Sequence, residues 1–498
     1  MNRSVIILIS LLLGAPCPEL HAGDAPTVKP NIVILYADDI GYGDLGIQNP
    51  ESKIPTPHLD GLAREGTRFT DAHSSSGICT PSRYALLQGR YHWRKFHDIV
   101  NSFDQPVLDN DRLTIAQLLR SKGYRTACIG KWHLGWDWNA IKKPAARDKP
   151  QPFAPADLDW SRPIPGGPLA HGFDYYFGDD VPNFPPYTWF ENDHVITEPT
   201  VMLDTTAKTA EGSWEARPGP SVKDWDFWSV MPTLTKRAVE WIGQQKSNEP
   251  FFLYLPFTSP HAPIVPTKEF VGRSQANGYG DFVVQTDNTV GQVLQALQQH
   301  GFASNTLVIF SADNGPERYA YARIRDFNHR SMGPLRGLKR DIWEGGHRVP
   351  FIVRWPGVVP AGKVSDGLIS QIDLWATLAA IVEAEIPAGS AEDSYNQLGL
   401  LKGVSPSVRE TLVHNTNAKG YALRHGDWVL IAAETGGISQ VPPWFDKVNG
   451  YPKNSFPGEL YNLREDLAQK HNLYGERPEQ VQQLTHLLEQ IRKQPQVR

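Results

Sequence analysis

Five short apolar runs, NIVILY, YRTACIG, FFLYLPF, TLVIFSA and PFIVRW, recur through the first four-fifths of the chain. Each is rich in β-branched or aromatic residues and continuous rather than alternating, the pattern of parallel strands buried on both faces. Between them lie amphipathic stretches of helical period, such as DRLTIAQLLRSKG, DFVVQTDNTVGQVLQALQQHG and SQIDLWATLAAIVEA. Strands that alternate with helices predict an α/β fold: a large domain with a mainly parallel central sheet flanked by helices. From about Lys143 to Pro232 the chain is rich in Pro, Trp, Asp and Gly without periodicity, and reads as long surface excursions. After roughly Arg409 the pattern changes to ETLVHN, GYALRHGDWVLIAA and GELYNL, short strands spaced for an antiparallel sheet, closed by the helix RPEQVQQLTHLLEQIRKQ. This predicts a large domain over 23–408 and a smaller C-terminal α+β domain over 409–498.

The opening segment, residues 1–22, reads as a signal peptide: Arg3, an apolar run from Val5 to Leu13, and a cleavage site after Ala22. That run is too short to span a bilayer, and no later segment is long and apolar enough to do so. The expected location is therefore outside the cytoplasm, periplasmic or secreted, reached through bacterial export machinery. Cys17 would leave with the signal peptide, so the mature chain would keep Cys79 and Cys128. Two cysteines do not make a disulfide scaffold; Cys128, inside a strand-like run, reads as a core thiol, and a Cys79–Cys128 bridge stays open. A formal net charge of −5 argues against a nucleic-acid partner.

The polar residues that follow the apolar strands carry the chemistry. NIVILYADD runs from a buried strand into Asp38 and Asp39, and TLVIFSADN does the same into Asp313 and Asn314. In parallel α/β sheets ligands bind beyond the carboxyl ends of the strands. An all-oxygen set of this kind suits a hard cation such as Ca²⁺ or Mg²⁺. Two more strands end in basic groups: GKWHLG delivers Lys131 and His133, and SPHAP delivers His261. Downstream of Asn314, Arg318, Arg323, Arg325, Arg330, Arg336, Lys339 and Arg340 form a basic stretch expected to face an anion.

Cys79, Pro81 and Arg83 match the C-x-P-x-R pattern, extended as CTPSR and LLQGRY. Together with LYADDIGYGDLG, GKWHLG, SPHAP, ADNG and GLKRDIWEGGHRVP, in that order, the chain resembles the formylglycine-dependent sulfatases of the alkaline phosphatase superfamily over nearly its whole mature length. The resemblance implies that a maturation enzyme oxidises Cys79 to formylglycine, whose hydrate is the nucleophile, and that Arg83 helps hold it. It implies one divalent cation, usually Ca²⁺, on Asp38, Asp39, Asp313 and Asn314 with an oxygen of residue 79. Lys131 and Lys339 match the sulfate-contacting lysines, His133 the base for sulfate release, and His261 the group that protonates the leaving alcohol. A further polar contact within FGDDVPN is left between Asp180 and Asn183.

The activity implied is hydrolysis of a sulfate monoester. A phosphoester or phosphonate hydrolase of the same superfamily, and a glycan-binding relative without catalysis, are the alternatives. Aromatic residues in WHLGWDWN, PPYTWFEN, KDWDFWSV and VPPWFDKVNGYP suit sugar rings. With the basic stretch, they suggest a sulfated carbohydrate as substrate.

Overall fold

The computed structural model describes residues 29–204, 206–417 and 420–497. The signal peptide reading and Cys17 lie outside the described residues. In chain order the principal strands are β1 (Asn31–Ala37), β2 (Thr67–Phe69), β3 (Arg125–Lys131), β4 (Tyr175–Asp180), β5 (Phe251–Pro256), β6 (Thr306–Ala312) and β7 (Phe351–Arg354). They form most of a ten-stranded sheet ordered Lys363–Ser365, β2, β7, β6, β1, β5, β3, β4, Phe190–Glu191, His194–Val195. β1 lies between β5 and β6 and is parallel to both, and β3 is parallel to β5 and β4.

Side chains of β1 alternate between two cores. Ile32, Ile34 and Tyr36 pack on one face with residues of α2 (Cys79–Gln88), α3 (Ile115–Ser121) and the later helix Leu374–Ile381. Val33, Leu35 and Ala37 pack on the other with α1 (Pro57–Arg64), α4 (Val230–Gly243) and α5 (Asn277–Gln299). Both faces are buried, which is why the strand is apolar throughout. A smaller antiparallel sheet follows, β8 (Thr411–Asn417), β9 (Gly420–His425), β10 (Trp428–Ile431) and β11 (Glu459–Asn462), with the helix Pro478–Lys493 packed on it. Leu412, Leu423, Leu484 and Leu488 belong to the same continuous core as Ile32 and Tyr84.

Two expectations change, and the open question of a Cys79–Cys128 bridge is answered. PFIVRW is β7, and it runs antiparallel to β6 and β2. The chain leaves β6, stays at the carboxyl end of the sheet through residues 313–350, and re-enters from that end, so no crossover reverses it. An apolar run buried on both faces does not encode strand direction. The Lys143–Pro232 region is not all excursion, because it supplies β4, and Trp160, Phe173, Tyr176 and Phe190 are buried there. Cys79 and Cys128 are both free thiols, and Cys128 is a core residue of β3.

Close approach of β3 to β5 depends on Gly130. Its φ is 129°, and a Cβ there would fall 1.9 Å from the carbonyl oxygen of Pro256. Gly130→Ala combines a disfavoured backbone with a clash against rigid main chain, and is expected to cost more than about 3 kcal/mol of stability. Denaturant unfolding of the variant checks this.

Candidate active site

Because β1, β3, β5 and β6 are parallel neighbours, their carboxyl ends open on one edge, and the residues that follow each strand meet there. Asp38 and Asp39 follow β1, Lys131 ends β3, His261 follows β5, and Asp313 and Asn314 follow β6. Cys79 begins α2, ten residues long, after the extended residue Ile78. It lies on a cleft of about 740 Å³ together with His133, His261 and Lys339.

The charges interlock. Arg83, fully buried on α2, donates from Nη2 and Nε to Asp313 Oδ2 at 2.8 and 3.1 Å, and from Nη1 to the Lys131 carbonyl at 3.1 Å. Lys131 Nζ lies 2.5 Å from Asp38 Oδ2. Lys339 Nζ lies 2.7 Å from Asp39 Oδ1 and 3.7 Å from Glu317 Oε2. Asn314 Nδ2 donates to Asp39 Oδ1 at 2.7 Å, and His261 Nε2 stands 3.8 Å from Asp39 Oδ2.

Burial alone would raise the Asp39 carboxyl, but Lys339 and His261 beside it hold it well below the usual carboxylate range. Asp313 behaves oppositely: burial, then the charge of Asp38, push it up to about 6 against the pull of Arg83 and Lys131. Burial also pushes up the Cys79 thiol, although Lys131 and Lys339 pull it back. Residue 79, as a cysteine, is therefore a thiol rather than a thiolate, unlike cysteines that attack as such.

The histidines are neutral. Burial, then Lys131 and Arg83, depress His133 well below its ordinary value. Its Nε2 donates to the Val100 carbonyl at 2.9 Å, which leaves a buried, unpartnered Nδ1 as the basic nitrogen among the described residues. Burial and Lys339 bring His261 down to about 4, and its Nδ1 donates to the Ala262 carbonyl at 2.6 Å. The free nitrogen of this ring is Nε2.

The residues fit a hard cation. Asp38, Asp39, Asp313 and Asn314 are all buried, and Asp38 Oδ1 and Asn314 Oδ1 have no hydrogen-bond partner among the described residues, Arg83 Nη2 standing 3.8 Å from Asp38 Oδ1. Two ammonium groups stand on the aspartates where positive charge is required. An orphaned buried carboxylate oxygen is costly unless a cation meets it.

Several supporting residues escaped the sequence reading. Asp44 holds the Asp38–Asp39 turn, accepting from Gly41 N at 2.8 Å and Tyr279 OH at 2.6 Å, with His329 Nε2 2.8 Å away. Glu317 takes Arg340 at 2.7 Å and faces Lys339. Asp39, His133, Asp180 and Arg340 all have positive φ without being glycine, a concentration of backbone strain at one site. The spacing D-x-x-x-x-x-D in ADDIGYGD could have pointed to Asp44; nothing local pointed to Glu317. Of the two candidates, Asn183 lines the cleft, whereas the side chain of Asp180, at the end of β4, accepts from the His133 amide at 3.2 Å.

The basic stretch does not act as one surface. Arg318, Lys339 and Arg340 reach the cleft. Arg323 is buried on Glu211, Arg336 is buried over Trp343, Arg325 pairs with Asp326, and Arg330 bonds Asn449. A helix over Ala320–Phe327 and the turns after it send successive arginines in different directions. Most of the aromatic clusters likewise pack the protein: Trp132, Trp136, Trp138, Tyr187, Phe227, Phe445 and Tyr451 are buried, while Trp228 is exposed. Among the described residues, the aromatic ring on the cleft is Phe184, with the Arg217 guanidinium 3.7 Å over it.

Comparison with known proteins agrees with this arrangement. Residues 30–384 match the sulfatase family. An N-acetylgalactosamine-6-O-sulfatase of Bacteroides thetaiotaomicron is 31% identical over 97% of both chains. Human N-acetylgalactosamine-6-sulfatase is 32% identical over 77% of this chain and 67% of its own length. A solved structure from work on glycosaminoglycan metabolism by Bacteroides thetaiotaomicron superposes with a TM-score of 0.78 at 29% identity, covering 94% of this chain and all of that one. With the motif blocks gathered at one sheet edge and the match spanning most of its length, the chain belongs to the sulfatase family and is a sulfuric ester hydrolase.

Proposed function

We propose that the protein is an exported sulfatase that removes sulfate from a glycan, with 6-sulfated N-acetylgalactosamine as the first candidate. The observation that carries the chemistry is the convergence of four buried oxygen-bearing side chains, with Arg83 and Lys131, on Cys79 and Lys339, which line one cleft. The sugar assignment rests on the names of the relatives and on the cleft mouth. There Arg217, Arg318 and Arg340 alternate with Asp98, Glu215 and Glu317, a lining suited to a polar, charged ligand. Export rests on the composition of residues 1–22, and the division at 408/409 on the change to antiparallel strands.

Asp38, Asp39, Asp313 and Asn314 would hold a divalent cation such as Ca²⁺, and Cys79 would be the precursor of formylglycine. These groups would supply positive charge at the ester oxygens and an oxygen nucleophile at residue 79. The chain's own residues do the rest. Arg83 fixes Asp313 and so the geometry beneath residue 79. Lys131 and Lys339 are within reach of a sulfate at the cleft floor, and moving from the aspartates to the substrate would keep each ammonium paired. His133 Nδ1 can take a proton on one side of the reacting sulfur, and His261 Nε2 can give one to the departing alcohol. A neutral His261 must first be protonated, which the negative substrate and Asp39 favour.

A panel of regiochemically defined sulfated sugars, with nitrophenyl sulfate and nitrophenyl phosphate alongside, tests the proposal. Release of sulfate from 6-sulfated N-acetylgalactosamine at least about 100-fold faster than from isomers sulfated elsewhere is expected, an energy difference of about 2.7 kcal/mol. Turnover confined to the aryl esters would reject a glycan substrate.

A further inference from the structure

Behind the loop that carries Cys79, where the antiparallel sheet docks, three buried histidines meet: His73, His347 and His414. His73 Nδ1 and His347 Nδ1 face each other at 3.1 Å. The other nitrogen of each ring is already engaged with an oxygen. His347 Nε2 lies 3.2 Å from the Ile342 carbonyl, and His73 Nε2 lies 2.8 Å from Asp71 Oδ1. A carbonyl can only accept, so His347 Nε2 carries its hydrogen and Nδ1 presents a lone pair. The carboxylate draws a hydrogen to His73 Nε2 in the same way. Two lone pairs at this distance repel unless a cation lies between them.

His414, on β8, supplies a third ring. It stacks on His347 with centroids 3.4 Å apart, and its centroid is 5.2 Å from that of His73. Both of its nitrogens are buried and have no hydrogen-bond partner among the described residues. One nitrogen from each of the three rings lies within 4.8 Å of the other two. Nearby charges are balanced: Arg424 pairs with Asp71 at 3.1 Å and Arg348 with Glu344 at 3.1 Å. Burial brings His347 down to about 3 and holds His414 well below its ordinary value, so both offer neutral nitrogens.

We propose that His73, His347 and His414 form a second metal site, selective for a d-block dication of the zinc class. Imidazole nitrogens favour such ions, whereas the oxygen set at Asp38 and Asp39 favours a hard one. Histidines that bind metal characteristically give their second ring hydrogen to a carboxylate or carbonyl, as His73 and His347 do here. Zinc–nitrogen bonds of about 2.0–2.1 Å place tetrahedral ligands about 3.3 Å apart, close to the spacing already present between His73 and His347. His414 would tilt off its stack to give the third nitrogen, with the fourth tetrahedral position left to a small ligand such as water. The metal would tie β8 to the nucleophile loop, in which Ser74 N donates to the His347 carbonyl at 2.9 Å and Ser76 Oγ to the Asn415 carbonyl at 2.8 Å.

Untagged full-length protein, stripped with chelator, supplied with excess Ca²⁺ and then with Zn²⁺ or Co²⁺ and desalted, provides the test. About one zinc per chain is expected, with Co²⁺ giving the visible absorption of a tetrahedral nitrogen site and Zn²⁺ raising the thermal midpoint. His414→Phe keeps the stacked ring without nitrogens, and His414→Gln is the smaller alternative; either is expected to retain under about a tenth of that zinc. Asp39→Asn is expected to keep its zinc, which separates this site from the catalytic cleft. Wild-type protein that retains no zinc, or His414 variants that retain as much as wild type, would overturn the proposal. So would a low-field proton resonance shared by His73 and His347 in zinc-treated protein.

Discussion

Cys79→Ala is expected to lower sulfate ester turnover by about 10⁴-fold or more while leaving the fold intact. The side chain is small, sits at the first position of α2, and makes no side-chain hydrogen bond among the described residues, so alanine removes chemistry without opening a cavity of consequence. Cys79→Ser is the sharper comparison. It is close in size and places a hydroxyl oxygen at residue 79, yet loses steady-state turnover if the working nucleophile is an oxidised form of residue 79 that serine does not reach. Circular dichroism and thermal unfolding would establish that both variants fold. Mass spectrometry of the peptide carrying residue 79, from protein made in its native host, is expected to find the sulfur gone. Full turnover by Cys79→Ala would remove residue 79 from the reaction.

Asp39→Asn is expected to weaken Ca²⁺ binding and to reduce turnover by about 10²–10³-fold. The substitution keeps the shape but deletes the charge that holds Lys339 at 2.7 Å and faces His261 at 3.8 Å. Calorimetric titration of cation-free protein with Ca²⁺ measures the first effect, and initial rates at saturating Ca²⁺ the second. The variant also loses stability with a predictable pH dependence. The folded Asp39 carboxyl titrates below its unfolded value, so its pairing stabilises the cation-free protein above about pH 4 and is lost as pH falls through the folded value. The difference between wild type and Asp39→Asn is therefore expected to be full at pH 7 and to shrink on strong acidification. Equal turnover and equal Ca²⁺ affinity in the two proteins would take Asp39 out of the cation site.

Much of the catalytic edge is legible in the amino-acid order because of a constraint on buried strands. A strand covered on both faces must be apolar until it reaches the sheet edge, so its first polar residues mark that edge. Asp38, Asp39, Asp313 and Asn314 follow Ala37 and Ala312 directly, and Lys131 closes β3 in the same way. The direction of β7 is not legible, since PFIVRW is equally apolar whichever way it runs. The aromatic clusters mislead for a related reason: tryptophans in irregular stretches look available for ligands, but Trp136 and Trp138 fill the space those stretches enclose.

The sequence by itself determined the α/β architecture, the antiparallel addition and the residue types at the strand ends, because burial on two faces and helical period are local properties of the chain. Which charges reach the cleft was decided only by the tertiary structure. Arg323 and Arg340 belong to one basic stretch, yet the first is buried on Glu211 and the second faces Glu317 at the cleft. The meeting of His73, His347 and His414 was decided there too, since it depends on how two loops and a docked sheet converge over hundreds of residues. No local periodicity carries that information.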